Sequence, residues 1–151
     1  MAASRRSSRR ETRARRQARR ARPPKERTMA KSPTEVAKAA FQAYVDDDRA
    51  AIEALIADDL VFTSPYDNGI GRETYFTLCW PNHERMAGVD IVRAIESGNE
   101  ALLTYVGRMK DGRASRNTEI FTIRDGRIHA VEVYFGWSIP HDAAPGQHKN
   151  P

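Results

Sequence analysis

Four residues in this chain could carry proton-transfer chemistry. Glu119 alternates with Phe121 and Ile123, so one glutamate shares a strand face with two hydrophobes. Burial there would disfavour its charged form and leave a neutral acid able to donate a hydrogen bond. Its plainer role is an ion pair with an arginine such as Arg108. His129 shares parity with Val131, Val133, Phe135 and Trp137, the more apolar set of its strand, or else marks a strand end at the rim. Asp67 stands in a loop before Asn68-Gly69, where a carboxylate serves equally as turn chemistry or as a base. Tyr44 lies on a helix, where a tyrosine either packs its ring or presents its hydroxyl. No glycine-rich phosphate loop is present, and the four histidines have no metal-ligand spacing with Cys79 or one another. The expectation is a pocket with no cofactor and no metal.

The elements that must position these residues follow from local signals. Ser32-Pro33-Thr34-Glu35 combines a hydroxyl cap, proline at the first helical position and a glutamate three residues after the cap. A helix from there runs through Phe41 and Tyr44 toward Asp46. Asp48 caps a second, with Ile52, Leu55 and Ile56 on its buried stripe. Leu60–Thr63 reads as a short strand stopped by Pro65, and a third helix carries Tyr75, Phe76, Leu78 and Trp80 until Pro81 breaks it. Beyond Arg85 the period becomes alternating, with Val89, Ile91 and Ile95 on one parity and then Leu102, Thr104 and Val106. Asp111-Gly112 and Asp125-Gly126 are hairpin signals joining Ala101–Met109, Ala114–Ile123 and Arg127–Trp137 into a meander. Helices first and hairpins afterwards is the α+β arrangement.

Charge divides the chain. Residues 1–28 hold eleven Arg and one Lys against two Glu, a net +10, whereas the remainder sums to −5. The first 28 residues therefore read as a disordered arginine-rich tail, the one part suited to nucleic acid, unless Met29 is the true start. Residues 32–138 form the expected domain, and 139–151 a flexible C-terminal tail. A single cysteine asks for no oxidising compartment, and no run approaches the roughly 18 apolar residues of a membrane span, so a cytoplasmic protein without a membrane partner is expected.

The order Ala43-Tyr44, Ala51–Leu55, Phe62-Thr63-Ser64-Pro65, Gly71-Arg72-Glu73, Glu119–Ile123, Asp125–Ile128 and Val133-Tyr134-Phe135 resembles the nuclear transport factor 2-like superfamily. Its members include ketosteroid isomerases, SnoaL-like polyketide cyclases and scytalone dehydratase. The resemblance implies a cone-shaped curved antiparallel sheet wrapped around N-terminal helices, with a mostly apolar cavity for a small apolar or carbonyl-bearing molecule, and a homodimer. Phe62, Ser64, Tyr75, Trp80, Phe121, Val131, Val133, Phe135 and Trp137 would line that cavity. In the isomerase pattern a tyrosine and a protonated acid form an oxyanion hole beside an aspartate base. Carried onto this sequence, the tyrosine falls on Tyr44 and the acid on Glu119, but the base falls on Ser64, which cannot accept a proton near neutrality without activation. Asp67 or His129 could replace it. The expectation is a cofactor-independent isomerase, cyclase or dehydratase, with a non-catalytic ligand- or protein-binding member of the fold as the alternative.

Overall fold

The computed structural model describes residues 29–150. The arginine-rich segment 1–28 and its nucleic-acid reading lie outside the described residues. Helix α1 spans Pro33–Val45 and opens with the full capping box, Ser32 Oγ accepting from Glu35 N while Glu35 Oε2 accepts from Ser32 N at 2.7 Å. Its buried residues Val36, Ala37, Ala40 and Ala43 form the single stripe that a 3.6-residue period produces. Helix α2, Arg49–Leu55, is capped by Asp48, whose side chain accepts from Ala51 N at 2.9 Å. Ile56, expected on the stripe of α2, is already the first residue of strand β1, Ile56–Thr63. Helix α3 is Arg72–Leu78, and a 3-10 helix, Trp80–Arg85, follows. Pro81 sits in the first turn of that second helix rather than simply ending the first.

Strands β2 (Met86–Ser97), β3 (Glu100–Met109), β4 (Ala114–Arg124) and β5 (Arg127–Ser138) form the expected antiparallel meander, turned at Asp111-Gly112 and Asp125-Gly126. Strand β1 joins parallel to β5, giving a mixed sheet in the order β1-β5-β4-β3-β2 that does not close. The sheet covers the helices as an α+β cone. Ile52, Ile56, Leu103, Ile128 and Val36 are its most completely buried large side chains. Residues 139–150 contain no helix or strand.

Which face of each strand turns inward is the point that positions the site. On β3 Ala101, Leu103, Tyr105 and Gly107 are buried on one face, and Leu102, Thr104 and Val106 form the other parity, where Thr104 is also buried and pairs its hydroxyl with that of Thr118. On β4, Phe121 and Ile123 are buried and Glu119 shares their face. Strand β5 departs from simple alternation twice. His129 is an extra residue between Ile128 and Ala130, which pair with Ile123 and Thr122, and Gly136 is an extra residue between Phe135 and Trp137, which pair with Asn117 and Arg116.

Leu103 has no exposed surface, and Leu103→Ala should cost about 2–5 kcal/mol in denaturant unfolding. Ile95→Ala, at a half-exposed position, should cost much less, and equal costs would refute this assignment of inner and outer faces.

Candidate functional site

Glu119 lies on β4 between the side chains of the sheet and those of the helices. It keeps part of its accessible surface while protein surrounds it. The Tyr105 hydroxyl donates to Glu119 Oε1 at 2.6 Å. Desolvation pushes the carboxyl up to about 7 from an ordinary value of 4.5, and the Tyr105 hydrogen bond opposes the rise. The desolvation effect is the larger. Glu119 therefore carries a proton in a good fraction of molecules near neutrality, as its place among Phe121 and Ile123 implies.

Tyr44 does not bond to Glu119. Its hydroxyl donates to that of Tyr75 at 2.7 Å, joining α1 to α3, and burial pushes both phenols upward, with Glu119's charge adding to the effect. The Tyr44 ring rests against Trp80 with centroids 4.9 Å apart, and Phe62 packs on Tyr75 at 5.2 Å. Trp80 is held from its other side by His83, whose ring stacks on it at 4.4 Å. His83 Nδ1 is 2.6 Å from the Trp80 carbonyl oxygen and its Nε2 is 2.8 Å from Asp47 Oδ1. Trp80 is thus a fixed wall, and His83 is a structural tie.

The loop after β1 brings Ser64 and Asp67 together. Phe62 and Ile70 exchange two backbone hydrogen bonds of 2.9 Å, closing the intervening residues into a tight loop that Gly69 turns at φ +65°. Within it Ser64 Oγ donates to Asp67 Oδ2 at 2.6 Å and accepts from the amides of Tyr66 and Asp67. The carboxylate of Asp67 thus lies against the residue on which the resemblance places a base. Burial pushes the thiol of Cys79 up to about 11, and the charges of Asp67 and Glu119 add to the rise.

Other expected residues divide between the two faces. Phe121 and Val131 are buried, and Val133, the register partner of Glu119, is partly so. Phe135 is half exposed and meets the ring of Tyr66, in the Ser64–Asp67 loop, in a tilted pair with centroids 5.3 Å apart. His129 is not with the other candidates. It occupies the first β5 bulge, four residues along the strand from Val133, with Nδ1 2.6 Å from Asp59 Oδ1 of β1 but outside hydrogen-bond geometry. Trp137 also lies apart: the bulge at Gly136 sets it opposite Arg116, whose guanidinium lies 5.5 Å over its ring on the outer face. Nor does Glu119 pair with Arg108, which binds Asp90.

Tyr105 is the site residue that sequence reasoning missed. Its parity with Ala101 and Leu103 could have found it, had the Leu102, Thr104 and Val106 set not been equally apolar. An open depression of about 630 Å³ lies elsewhere, among Arg49, Asp58, Arg72 and Phe76, and none of Tyr44, Tyr105 or Glu119 lines it. Its charges are of both signs and exposed at least in part, so the perturbed acid rather than this depression marks the candidate site.

The family model described as a SnoaL-like domain matches residues 37–131. The chain belongs to the SnoaL-like domain family. Solved structures agree on the fold of this SnoaL-like protein. A Kribbella flavida protein is 21% identical with a TM-score of 0.63, the match covering 70% of this chain and 86% of that one. An M. tuberculosis LEH-like epoxide hydrolase is 24% identical, covering 67% and 80%, at TM-score 0.59. A putative polyketide cyclase from Sinorhizobium meliloti is 22% identical, covering 65% and 92%, at TM-score 0.54. No curated protein matches the chain.

The raised carboxyl of this SnoaL-like domain has a stability signature. Because folding favours the protonated form of Glu119, its contribution is fully present below about 4.5 and is lost as pH rises through about 7. The difference in unfolding free energy between wild type and Glu119→Gln should change by up to about 3 kcal/mol across that window. A pH-independent difference would mean that the carboxyl is solvated like an ordinary one.

Proposed function

We propose that this SnoaL-like protein binds a small apolar molecule bearing a carbonyl or hydroxyl oxygen and moves protons on it by general acid–base catalysis. The observation that carries the reading is the protonatable Glu119 carboxyl, desolvated, held by Tyr105, and sharing its surroundings with the Tyr44–Tyr75 hydroxyl pair. Such donors stabilise negative charge that develops on a substrate oxygen. Asp67 supplies the base. The Ser64 hydroxyl, itself too weak, holds the Asp67 carboxylate by donating to one of its oxygens and leaves the other to accept a proton. In the simplest cycle Asp67 removes a proton from the carbon next to a carbonyl while Glu119 shares its proton with the enolate oxygen. Return of the proton to another carbon gives isomerisation, and departure of a neighbouring hydroxyl as water gives dehydration. The nuclear transport factor 2-like resemblance and the polyketide cyclase neighbour favour this class of chemistry over group transfer.

A nitrophenolate that stays ionised from pH 5 to 9 tests the donor directly. Its affinity should be flat below about pH 7 and fall roughly tenfold per pH unit above it, as the Glu119 proton is lost. In Glu119→Gln that dependence should vanish, and a pH-independent affinity in wild type would argue for passive binding. With a turned-over substrate, Glu119→Gln and Tyr44→Phe should each lose on the order of 100-fold in kcat, and losses under about tenfold would remove them from the catalytic set.

The homodimer reading rests on the outer sheet face, where Val61, Ile95, Tyr134 and Trp137 are each about half exposed. Sedimentation of residues 29–151 should show a dimer that Tyr134→Glu dissociates. A monomeric wild type would overturn it.

A further inference from the structure

An exposed pair of aromatic rings joins the strand opposite Glu119 to the turn that carries Asp67. Tyr66 is 87% exposed and Phe135 49%, yet their rings meet with centroids 5.3 Å apart and planes inclined at 59°. Rings so inclined cannot cover each other. Phe135 belongs to the inward parity of β5, with no bulge between it and Val133, because Glu119, Thr118 and Asn117 pair in turn with Val133, Tyr134 and Phe135. Burial fades along that parity, from Val131 at 4% through the partly buried Val133 to Phe135. The strand thus leaves the core beyond Glu119 and carries an aromatic ring with it. Two residues of strand span about 7 Å, comparable with the length of two fused six-membered rings. Tyr66 brings the other end. It is the third residue of the turn Ser64–Asp67, whose ends exchange backbone hydrogen bonds of 2.8 and 3.2 Å. The hydrogen bonds that shape this turn come from backbone groups, the Ser64 hydroxyl and the Asp67 carboxylate, so the Tyr66 ring takes no part in closing it. The other exposed aromatics of β5 are engaged elsewhere: Tyr134 donates to Glu132 Oε2 at 2.8 Å, and Trp137 carries the Arg116 guanidinium.

We propose that Tyr66 and Phe135 are specificity-determining residues that receive the ring of the bound molecule and select a flat, unsaturated ring over a puckered, saturated one. The inference rests on the proposed function, since it takes Glu119 and Asp67 as the acid and base that act on that ring. A ring seated on Phe135 and Tyr66 has Glu119 to one side, along the strand, and Asp67 to the other, along the turn. A planar ring meets an aromatic face over its whole area, whereas a puckered ring touches it at a few hydrogens and forgoes most of the contact. Selection follows from shape. The solvent-facing surfaces of both side chains are covered in the same step, which adds apolar burial to the contact.

Two bicyclic carboxylates test this with the full chain: 2-naphthoate and decalin-2-carboxylate, both ionised above about pH 6 and differing in the flatness of their rings. The readout is the ratio of their affinities, in which the shared charge cancels. Tyr66→Leu and Phe135→Leu should each lower the naphthoate affinity roughly fivefold and change the decalin affinity by less than about twofold, so the ratio falls. Tyr66→Phe should keep the wild-type ratio, because the ring rather than the hydroxyl makes the contact. Naphthoate proton resonances should move upfield on binding to wild type and move less with either leucine variant. An unchanged ratio in both leucine variants, or a protein that binds neither probe, overturns the inference. A change of oligomeric state with an unchanged ratio would assign the pair to a protein interface and overturn it as well. Glu119→Gln should leave the ratio as in wild type while removing the loss of affinity above about pH 7. If wild type shows no such loss and the ratio still responds to Tyr66 and Phe135, the proton-transfer reading fails and the aromatic contact stands.

Discussion

Keeping one carboxyl away from water governs the arrangement of this domain. An ionised carboxylate in an apolar setting is so unfavourable that the group either finds a strong donor or takes up a proton, and Glu119 does some of each. Around it the cone gathers groups that are themselves polar yet neutral: three tyrosines from α1, α3 and β3, and one thiol. These side chains satisfy one another in pairs, Tyr44 with Tyr75 and Tyr105 with Glu119, so the interior accommodates polarity without an ion pair. An arginine in place of any of them would hold the glutamate in its charged form and remove the proton that its desolvated setting retains.

Most of the architecture was legible because it is written in local chemistry. The capping box at Ser32 and Glu35, the Asp48 cap and the two Asp-Gly turns each act within a few residues, so reading them needs no knowledge of the rest of the chain. The inward face of β4 was legible for the same reason, since Glu119, Phe121 and Ile123 alternate without interruption. Strand β5 was not, because a bulge exchanges the two faces beyond it and its cost is met by partners on another strand. Gly136 inside an apolar run was the available warning. The Gly136 bulge explains why simple parity put Trp137 on the face of Phe135 whereas its partner is Arg116, and His129 is the extra residue of the earlier bulge. Tyr105 escaped notice for a different cause: β3 is apolar on both parities, so its pattern does not say which side is the core.

The membership of the chain in the SnoaL-like domain family fixes the scaffold, and the same scaffold hosts unrelated activities. The proposed base position of this chain has a local feature of its own. A serine stands where the resemblance places an aspartate, and an aspartate three residues later folds back onto that serine through a loop closed by Phe62 and Ile70. Under the proposed function, the role of that position passes along the chain by the length of one turn. This kind of relocation is inexpensive because loop residues carry few packing obligations, whereas the acid, set in a strand, has stayed where the sheet puts it.

The two bulges of β5 also say something about how such a pocket can change over time. A substitution alters one wall residue, but loss or gain of a bulge changes the face that every side chain beyond it presents. Drawn into the ladder as an ordinary residue, Gly136 would return Trp137 to the parity of Phe135 and turn the indole inward while carrying Ser138 outward, whereas its deletion would leave Trp137 opposite Arg116. The end of this strand can thus be relined by a shift of register beyond Phe135, leaving the buried half of the strand, from Ile128 to Val133, in place. Lineages built on this strand can explore new ligands by slippage at its end without renegotiating the core.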